Sequence, residues 1–491
     1  MMRQLQAFFL VSTLVLMSSA AFAQIAIVGA TIIDGNGGAP IEDGVVLIEG
    51  NRILAVGGKS TAVPSRAKRI AARGKYVIPG LMDANVHLML DLSALTLVRY
   101  EGRYDELAIE AAQVALRNGV TTVFDTWGPR AYLVKARDSV NEGRATASRI
   151  FLAGNIVGLD GPFSEDFFPQ GKETLFEDFT DGINALWQEN VGRELGWMAP
   201  GEVQQEIRLY AHRNIDFLHY SVTAHRREGL NFIQFSPRVQ QVLVEEAHRA
   251  GLPVQARTTS GESLYLAVQA GVDLLQYCDV TVAQPIPRET VALIAERRIP
   301  CAIFPNTTKA LAWYSENAPT PYLKRYYEVA ELNQQALLRA GAVFVLATDG
   351  GIYSADALKW PWMKNRYPPE ENLAVLGEGH FHWLLAVEQK GMKPMDALLA
   401  ATRNTARAYQ VDKLLGTLEK GKIADLLILD KNPLESAANY RSISLVMKEG
   451  TIIDRDSLPT QRLLTVGELP PAQRRSDHAS TGKSSQPNGT P

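Results

Sequence analysis

Two strand-like segments, far apart in the chain, end in side chains that can bind a metal ion or transfer a proton. The first segment ends in Asn85 and His87, and the second ends in Asp349. Side chains two residues apart on a strand point to the same face, so Asn85 and His87 can both point inward. Imidazole and carboxylate groups bind divalent metals and also serve as acids and bases in catalysis. We therefore expect chemistry where these two strands end.

The middle of the chain, residues 78–410, alternates buried strands with helices, and this order predicts how the reactive groups are positioned. One helix illustrates the pattern, with Ser236 as N-cap, Pro237 at its first position, apolar residues at helical spacing and Gly251 at its end. Eight such units predict an α/β fold of the (β/α)₈ TIM-barrel type, in which reactive groups lie at the carboxyl ends of the strands. A doubly wound open sheet is the alternative, but no glycine-rich phosphate turn follows the first strand. The predicted strands cover residues 80–84, 121–125, 149–153, 216–221, 253–256, 273–276, 300–304 and 343–347.

Both ends of the mature chain are rich in short alternating strands. Neither residues 24–77 nor residues 411–469 could bury both faces of a sheet alone. We therefore predict one small composite β-sandwich built from the two ends, beside the barrel of residues 78–410. Residues 470–491 are rich in Ser, Pro, Gly and charge, which predicts a disordered tail.

Composition and the first residues indicate an exported globular protein. The 491 residues carry a formal charge of −3, with 46% hydrophobic and 21% charged residues, so neither disorder nor nucleic-acid binding is expected. Residues 1–23 have a charged start, a short apolar stretch and an Ala-Phe-Ala end, which predicts a signal peptide and a secreted, periplasmic protein. A buried N-terminal helix is the alternative. No later segment is apolar for long enough to span a membrane. Cys278 and Cys301 are expected to be two unpaired thiols rather than a disulfide.

Six segments, taken in order along the chain, carry a recognisable pattern. They are residues 77–87 (VIPGLMDANVH), 118–123 (NGVTTV), 270–273 (AGVD), 348–351 (TDGG), 396–404 (DALLAATRN) and 416–426 (GTLEKGKIADL). Together they resemble the amidohydrolase superfamily. The likeness is strongest to its imidazolonepropionase-like and prolidase-like branch, and the Asn-x-His variant is similar to that of the phenylurea and molinate hydrolases. This resemblance implies a metal-dependent hydrolase of C–N bonds, built on a barrel flanked by a composite sandwich.

The sequence departs from the ligand set that the resemblance implies. The family has a His-x-His pair on the first strand, and here Asn85 replaces the first histidine. His219 stands where the family has the metal-bridging lysine of the fourth strand. The alternative is that the register of this strand differs by one residue. The histidines of the fifth and sixth strands fall on Arg257 and Tyr277, and the aspartate of the eighth strand is kept as Asp349.

Sorted by metal position, these departures predict at most one divalent ion. In the family, the inner metal takes ligands from strands one, four and eight, which here carry Asn85, His87, His219 and Asp349. Ligands of the outer metal come from strands four, five and six, and strands five and six here carry Arg257 and Tyr277. These two cannot bind it as the histidines would, since a guanidinium has no lone pair to donate. We expect one metal ion, with Zn²⁺ as the first choice and a metal-free site as the alternative. His219 could instead simply hydrogen-bond across the barrel.

The residues suggest a mechanism and a set of substrate contacts. Asp349 would accept a proton from the attacking water and pass it to the leaving amine, while Arg257 and Tyr277 would stabilise the oxyanion. Loops after the strands carry bulky aromatic side chains, which could form a pocket for an apolar substrate or simply pack together. The predicted substrate-binding residues are Trp127, His225, Trp313 and His380.

We therefore predict an amidohydrolase-type enzyme that cleaves an amide, urea or carbamate bond of a small molecule with one metal-activated water. The alternative is a metal-free barrel that binds a ligand and has lost hydrolase activity, because several usual metal ligands are replaced. A third possibility is a lyase or isomerase that uses Asp349, Arg257 and Tyr277 without a metal. We expect no nucleic acid and no membrane partner after signal cleavage, and a homo-oligomer is open.

Overall fold

The computed structural model describes residues 24–169, 175–224, 232–281, 284–318, 320–359 and 367–465. The predicted signal peptide, the predicted tail and His225 lie outside these residues. Within them, no helix combines the length and the apolar character needed to cross a bilayer.

Strands and helices follow the alternating order expected from the sequence. The strands are β1 (Gln24–Ile32), β2 (Ile41–Glu49), β3 (Arg52–Gly57), β4 (Lys68–Ala71), β5 (Tyr76–Pro79), β6 (Leu81–Val86), β7 (Val120–Asp125), β8 (Arg149–Leu152), β9 (Leu218–Ser221), β10 (Val254–Arg257), β11 (Leu274–Gln276), β12 (Cys301–Ile303), β13 (Phe344–Leu346), β14 (Leu426–Leu429), β15 (Ile443–Lys448) and β16 (Thr451–Ile452). The helices are α1 (Ala94–Arg99), α2 (Tyr104–Arg117), α3 (Arg130–Asn141), α4 (Glu177–Gln188), α5 (Pro200–Ala211), α6 (Pro237–Arg249), α7 (Gly261–Ala270), α8 (Arg288–Arg297), α9 (Thr308–Asn317), α10 (Pro321–Arg339), α11 (Gly379–Gln389), α12 (Pro394–Ala400) and α13 (Arg403–Ala408).

The two β-rich ends of the chain share one hydrogen-bonded sheet. Its strand order is β16-β15-β14-β5-β1-β2-β3, and β4 pairs with β1 off this path. Strand β5 lies between the halves, because it pairs in parallel with β1 and antiparallel with β14. Both ends of the chain thus contribute strands to one sheet, while the composite β-sandwich stays a prediction.

The middle of the chain supplies eight parallel strands in two sheets. Strands β6, β7 and β8 form one sheet, and β9 to β13 form the other in sequence order. The sheets meet at two parallel bridges, Val86 with Gly350 and Val157 with Tyr220. The mixed α/β class is confirmed, and this arrangement is of the TIM-barrel type; full closure of the cylinder stays a prediction. The two sheets share one apolar cluster, which indicates a common interior. Five of its buried members lie on five different barrel strands, and two lie outside the strands: Met82, Phe124, Leu274, Ala302 and Val345, with Phe217 and Tyr409.

Helix α6 has the capping predicted from the sequence. The Ser236 hydroxyl accepts a hydrogen bond from the Val239 amide, and Pro237 occupies the first helical position. Its apolar stripe, which includes Leu243 and Ala247, is buried against the strands. Amphipathic helices of this kind hold the sheets from outside and keep the strand ends in place.

A buried ion pair joins the barrel region to the composite sheet. Arg149, at the start of β8, donates from Nη1 to Asp425 and from Nη2 to Glu449, at 2.5 Å each. The Asp425 side chain is 7% exposed, so this contact is almost free of water.

In the barrel region, Cys278 and Cys301 are buried free thiols with their Sγ atoms 2.9 Å apart.

Candidate active site

The end of the first barrel strand is tied to the end of the eighth by both backbone and side-chain hydrogen bonds. The amide of Asp349 donates to the carbonyl of Asn85, and the amide of His87 donates to the carbonyl of Gly350, at 2.9 Å each. Below them, Asp83 accepts from the amide and the hydroxyl of Thr348. These contacts place three predicted site residues side by side at the carboxyl edge, as the sequence suggested.

The carboxylate of Asp349 is the centre of this cluster. Its Oδ1 accepts hydrogen bonds from Asn85 Nδ2 at 3.0 Å, His87 Nε2 at 2.9 Å and Tyr277 Oη at 2.8 Å. Burial raises the pKa of Asp349, but the His87 ring and the Tyr277 hydroxyl outweigh it and lower the pKa to about 2. The carboxylate is therefore ionised at neutral pH. Its Oδ2 makes no hydrogen bond within the described chain, and 36% of the side chain is exposed, so this oxygen is available to a ligand.

His219 is buried with one ring nitrogen unpartnered. Its Nδ1 lies 2.8 Å from the carbonyl of Thr126 and donates to it, whereas no described group bonds to its Nε2. Burial lowers the pKa of His219 to about 3, so the ring is neutral and Nε2 carries a free lone pair. Metal-binding histidines commonly have this arrangement, in which a carbonyl fixes the tautomer from the other side of the ring.

Arg257 and Tyr277 form the opposite wall of the cluster. The guanidinium carbon of Arg257 lies 4.9 Å from the centroid of the Tyr277 ring, which also stacks on Phe304 at 4.6 Å. Arg257 is 6% exposed, its Nη1 has no hydrogen-bond partner among the described residues, and burial lowers its pKa. Burial raises the pKa of Tyr277 well above its ordinary value, and the Asp349 charge adds to this effect. Tyr277 therefore remains a phenol that donates to Asp349.

Asn85 acts as a donor in this structure rather than as a free oxygen ligand. Its amide nitrogen donates to Asp349, while its Oδ1 accepts a short hydrogen bond from the hydroxyl of Thr126. The amide thereby helps to hold the carboxylate in place. Its predicted role as a metal ligand stays a prediction.

The four predicted substrate-binding residues differ in where they lie. The Trp127 ring is 3% exposed and meets the His87 ring edge-on at 6.0 Å, so it does reach the cluster. Trp313 is half-buried on α9 and contacts Tyr314, with no contact in the described structure to the Asp349 cluster. His225 lies outside the described residues.

The structure does not bring His380 to the cluster. Its Nε2 donates to the carbonyl of Asn118, 3.0 Å away, at the start of the second barrel strand rather than at its end. The ring is 1% exposed, and burial lowers its pKa to about 3. The assignment of His380 to the substrate site is therefore corrected, because its ring is used in packing between α11 and α2.

Sequence reasoning missed several residues that position the cluster. Asp125, at the end of the second strand, accepts from the amides of Leu88 at 2.7 Å and Trp127 at 3.2 Å, and so fixes the loops beside His87. Burial raises the pKa of Asp125 to about 7. Tyr326, on α10, lies near Arg257, and burial raises the pKa of its phenol well above the ordinary value, so the side chain is neutral there. Asp125 could have been found from its place at a strand end, whereas nothing in the local sequence indicates Tyr326.

Comparison with known proteins identifies the family to which this barrel-type fold belongs. The amidohydrolase family profile matches residues 231–453. A structure of molinate hydrolase is 38% identical, with a TM-score of 0.86, over 91% of this chain and 98% of that one. Phenylurea hydrolase B is 35% identical, with a TM-score of 0.85, over 91% of this chain and 100% of that one. The chain belongs to the amidohydrolase family.

A more distant relative is the ochratoxinase of Aspergillus niger. It is 23% identical over 455 residues, which cover 88% of this chain and 87% of that protein. The resemblance seen in the sequence motifs is thus confirmed, including the similarity to phenylurea and molinate hydrolases.

The amidohydrolase family generally uses a divalent metal ion, and the cluster offers three donor atoms of the types that such an ion binds. Asp349 Oδ1 and His87 Nε2 lie 2.9 Å apart, near the ~3.3 Å that separates two ligands of a tetrahedral zinc ion. His219 offers a neutral, unpartnered Nε2. The donor types therefore fit one divalent ion, although no three His, Cys, Asp or Glu side chains of the described residues stand together as a ready metal site.

Proposed function

We propose that this protein hydrolyses a C–N bond of the amide, urea or carbamate type in a small molecule, using one divalent metal ion, with Zn²⁺ as the first candidate. The observation that carries the proposal is the ionised Asp349, which accepts three hydrogen bonds through Oδ1 and leaves Oδ2 open at the strand ends. The similarity to molinate hydrolase and phenylurea hydrolase B supports hydrolysis as the reaction class.

A bound divalent ion, held by His87, His219 and Asp349, would make a water molecule nucleophilic at neutral pH. Asp349 would take the proton of the attacking water on Oδ2 and return it to the leaving amine nitrogen. Asn85 and Tyr277, which donate to Oδ1, would keep this carboxylate oriented. Arg257 supplies a permanent positive charge in a buried position, where it stabilises a developing oxyanion more strongly than it would in water.

The aromatic side chains beside His87 support a substrate with an apolar or aromatic group. Trp127 stacks on Phe167 at 4.2 Å and lies at 5.9 Å from the Trp187 ring. This aromatic wall begins beside His87 and would pack against a ring or an alkyl group of the substrate. We also propose that the protein is exported, as its first 23 residues suggest.

A direct experiment combines turnover with elemental analysis. The purified protein is incubated with molinate, a phenylurea and an N-acyl aniline, and the released amine is measured by mass spectrometry. We expect hydrolysis of at least one compound, one metal ion per chain, and loss of turnover in Asp349→Asn. His248→Asn is the control variant. His248 Nε2 lies 2.7 Å from Asp273 Oδ2 on a half-exposed surface, a histidine–aspartate contact similar to that between His87 and Asp349. Two ions per chain, or an active Asp349→Asn variant, would contradict the proposal.

The second candidate is a metal-free barrel that binds a ligand without turning it over. It is favoured by Asn85, whose amide donates to Asp349 and whose oxygen is already engaged by Thr126. This candidate predicts no stoichiometric metal after dialysis against Zn²⁺ and no amine release from any of the three compounds. The same experiment therefore separates the two candidates.

A further inference from the structure

A cleft lies at the end of the barrel region opposite Asp349. Its volume is about 630 Å³, and Pro300 and Val343, which precede β12 and β13, form part of its floor. The Asp349 cluster follows the other end of β13, so the two sites are separated by the length of the strands. Helices α10 to α13 supply most of the remaining wall.

This cleft is lined by an excess of positive charge. Lys390 forms an ion pair with Glu331, and Asp396 is the one carboxylate among the lining residues. The other cationic side chains of the lining form no ion pair with any described residue. They are Arg298, Arg339, Lys393, Arg403 and Arg407.

Arg403 is the most enclosed of these cations and has an unused donor. Its Nη1 donates to the carbonyl of Asn36 at 2.6 Å, but its buried Nε has no hydrogen-bond partner among the described residues. Burial lowers the pKa of Arg403, the nearby guanidinium groups of Arg407 and Arg298 add to this effect, and the carboxylates of Asp34 and Asp396 oppose it. Like charges held together in this way repel one another, and a bound anion would offset the repulsion.

We propose that this cleft binds a small-molecule anion that carries two or more phosphate groups. Five unpaired cations against one carboxylate require more than one negative charge in the ligand. Four of the five are arginines, whose planar guanidinium groups match phosphate oxygens in pairs. The volume lies within the ~300–1,000 Å³ typical of small-molecule sites.

Calorimetric titration of the full mature protein with tripolyphosphate tests this proposal. The titration is run at about 0.15 M salt, where charges beyond ~8 Å are largely screened. We expect the wild type to bind one tripolyphosphate per chain. The double variant Arg298→Gln/Arg407→Gln should have a dissociation constant at least about tenfold higher. Both side chains are exposed and form no ion pair with described residues, so folding should be unaffected.

The matched control is Arg66→Gln/Arg73→Gln, which removes two exposed arginines from the turns on either side of β4, outside the lining of the cleft. We expect this control to change the affinity less than about twofold, because these charges are far from the cleft and screened. Equal weakening in both double variants would overturn the proposal in favour of a general charge effect. No binding of tripolyphosphate by the wild type would also overturn it. Equal affinity for citrate would overturn the assignment to phosphate.

Discussion

Replacement of His219 by leucine tests whether its unpartnered nitrogen is there to hold a metal ion. In the absence of metal, the substitution leaves the buried Thr126 carbonyl without the hydrogen bond from Nδ1, and an unsatisfied buried acceptor costs about 1–3 kcal/mol. It also removes a buried nitrogen without a partner, whose desolvation costs about 1–3 kcal/mol. These effects oppose each other, so the free energy of unfolding of the metal-free protein should change by less than about 1 kcal/mol.

With metal present, the expected result is different. Zinc at one hundred times its dissociation constant would stabilise the wild type by about 2.7 kcal/mol. For a chain of this size the entropy of unfolding is roughly 1 kcal/mol per kelvin, so the melting temperature should rise by about 3 °C. His219→Leu should lose most of this increase, because one of the three proposed ligands is gone.

The assay is calorimetric melting of both proteins in EDTA and in zinc, with His380→Leu as the control. His380 is equally buried, its pKa is also lowered to about 3, and it too bonds to a backbone carbonyl, but it lies outside the cluster. The control should keep the full effect of zinc. An equal zinc effect in His219→Leu and the wild type would refute the reasoning, and so would the absence of any zinc effect in all three proteins.

Three further predictions concern stability and export. Asp425→Asn should lower the free energy of unfolding by about 3 kcal/mol in urea titrations, because the buried Arg149 then keeps only the half-exposed Glu449 as its partner. The control Glu106→Gln, in an exposed ion pair, should lower it by less than about 1 kcal/mol. Burial raises the pKa of Asp279 from 3.8 to about 6, so its contribution to stability is complete below pH 3.8 and is lost as the pH rises through 6. Asp279→Asn, compared with the wild type at pH 4.5 and 7.5, should therefore gain relative stability at the higher pH by about 2 kcal/mol. N-terminal sequencing of protein exported by a bacterial host should begin at Gln24, and an intact Met1 would contradict the predicted signal peptide.

Much of the fold could be predicted because its signals are local. The buried strands and amphipathic helices can be recognised from apolar spacing, and the capping of α6 by Ser236 needs only a few neighbouring residues. Asn85 and His87 could be placed at the site because alternation along a strand fixes their common face. Asp349 could be placed with them because parallel strands end at the same edge.

The rest depends on contacts between distant parts of the chain. The hydrogen bonds of Asp125 to the loop after the first strand, and the approach of Tyr326 to Arg257, join residues separated by tens of positions. No spacing rule describes such contacts. His380 was misplaced for the same reason, since a histidine at a helix start gives no indication that its ring will turn towards the Asn118 carbonyl.

Backbone conformation separates two residues of the cluster from the rest. Tyr277 has φ of 60° and Asp349 has φ of 57°, both in the left-handed region that side chains other than glycine rarely adopt. Such conformations cost about 1 kcal/mol or more each and persist where surrounding contacts fix them, often at active sites. These two residues also form the 2.8 Å hydrogen bond between the phenol and the carboxylate. The turns after β11 and β13 are therefore both strained at the two residues that make this one contact, a combination that is found at active sites more often than in ordinary packing.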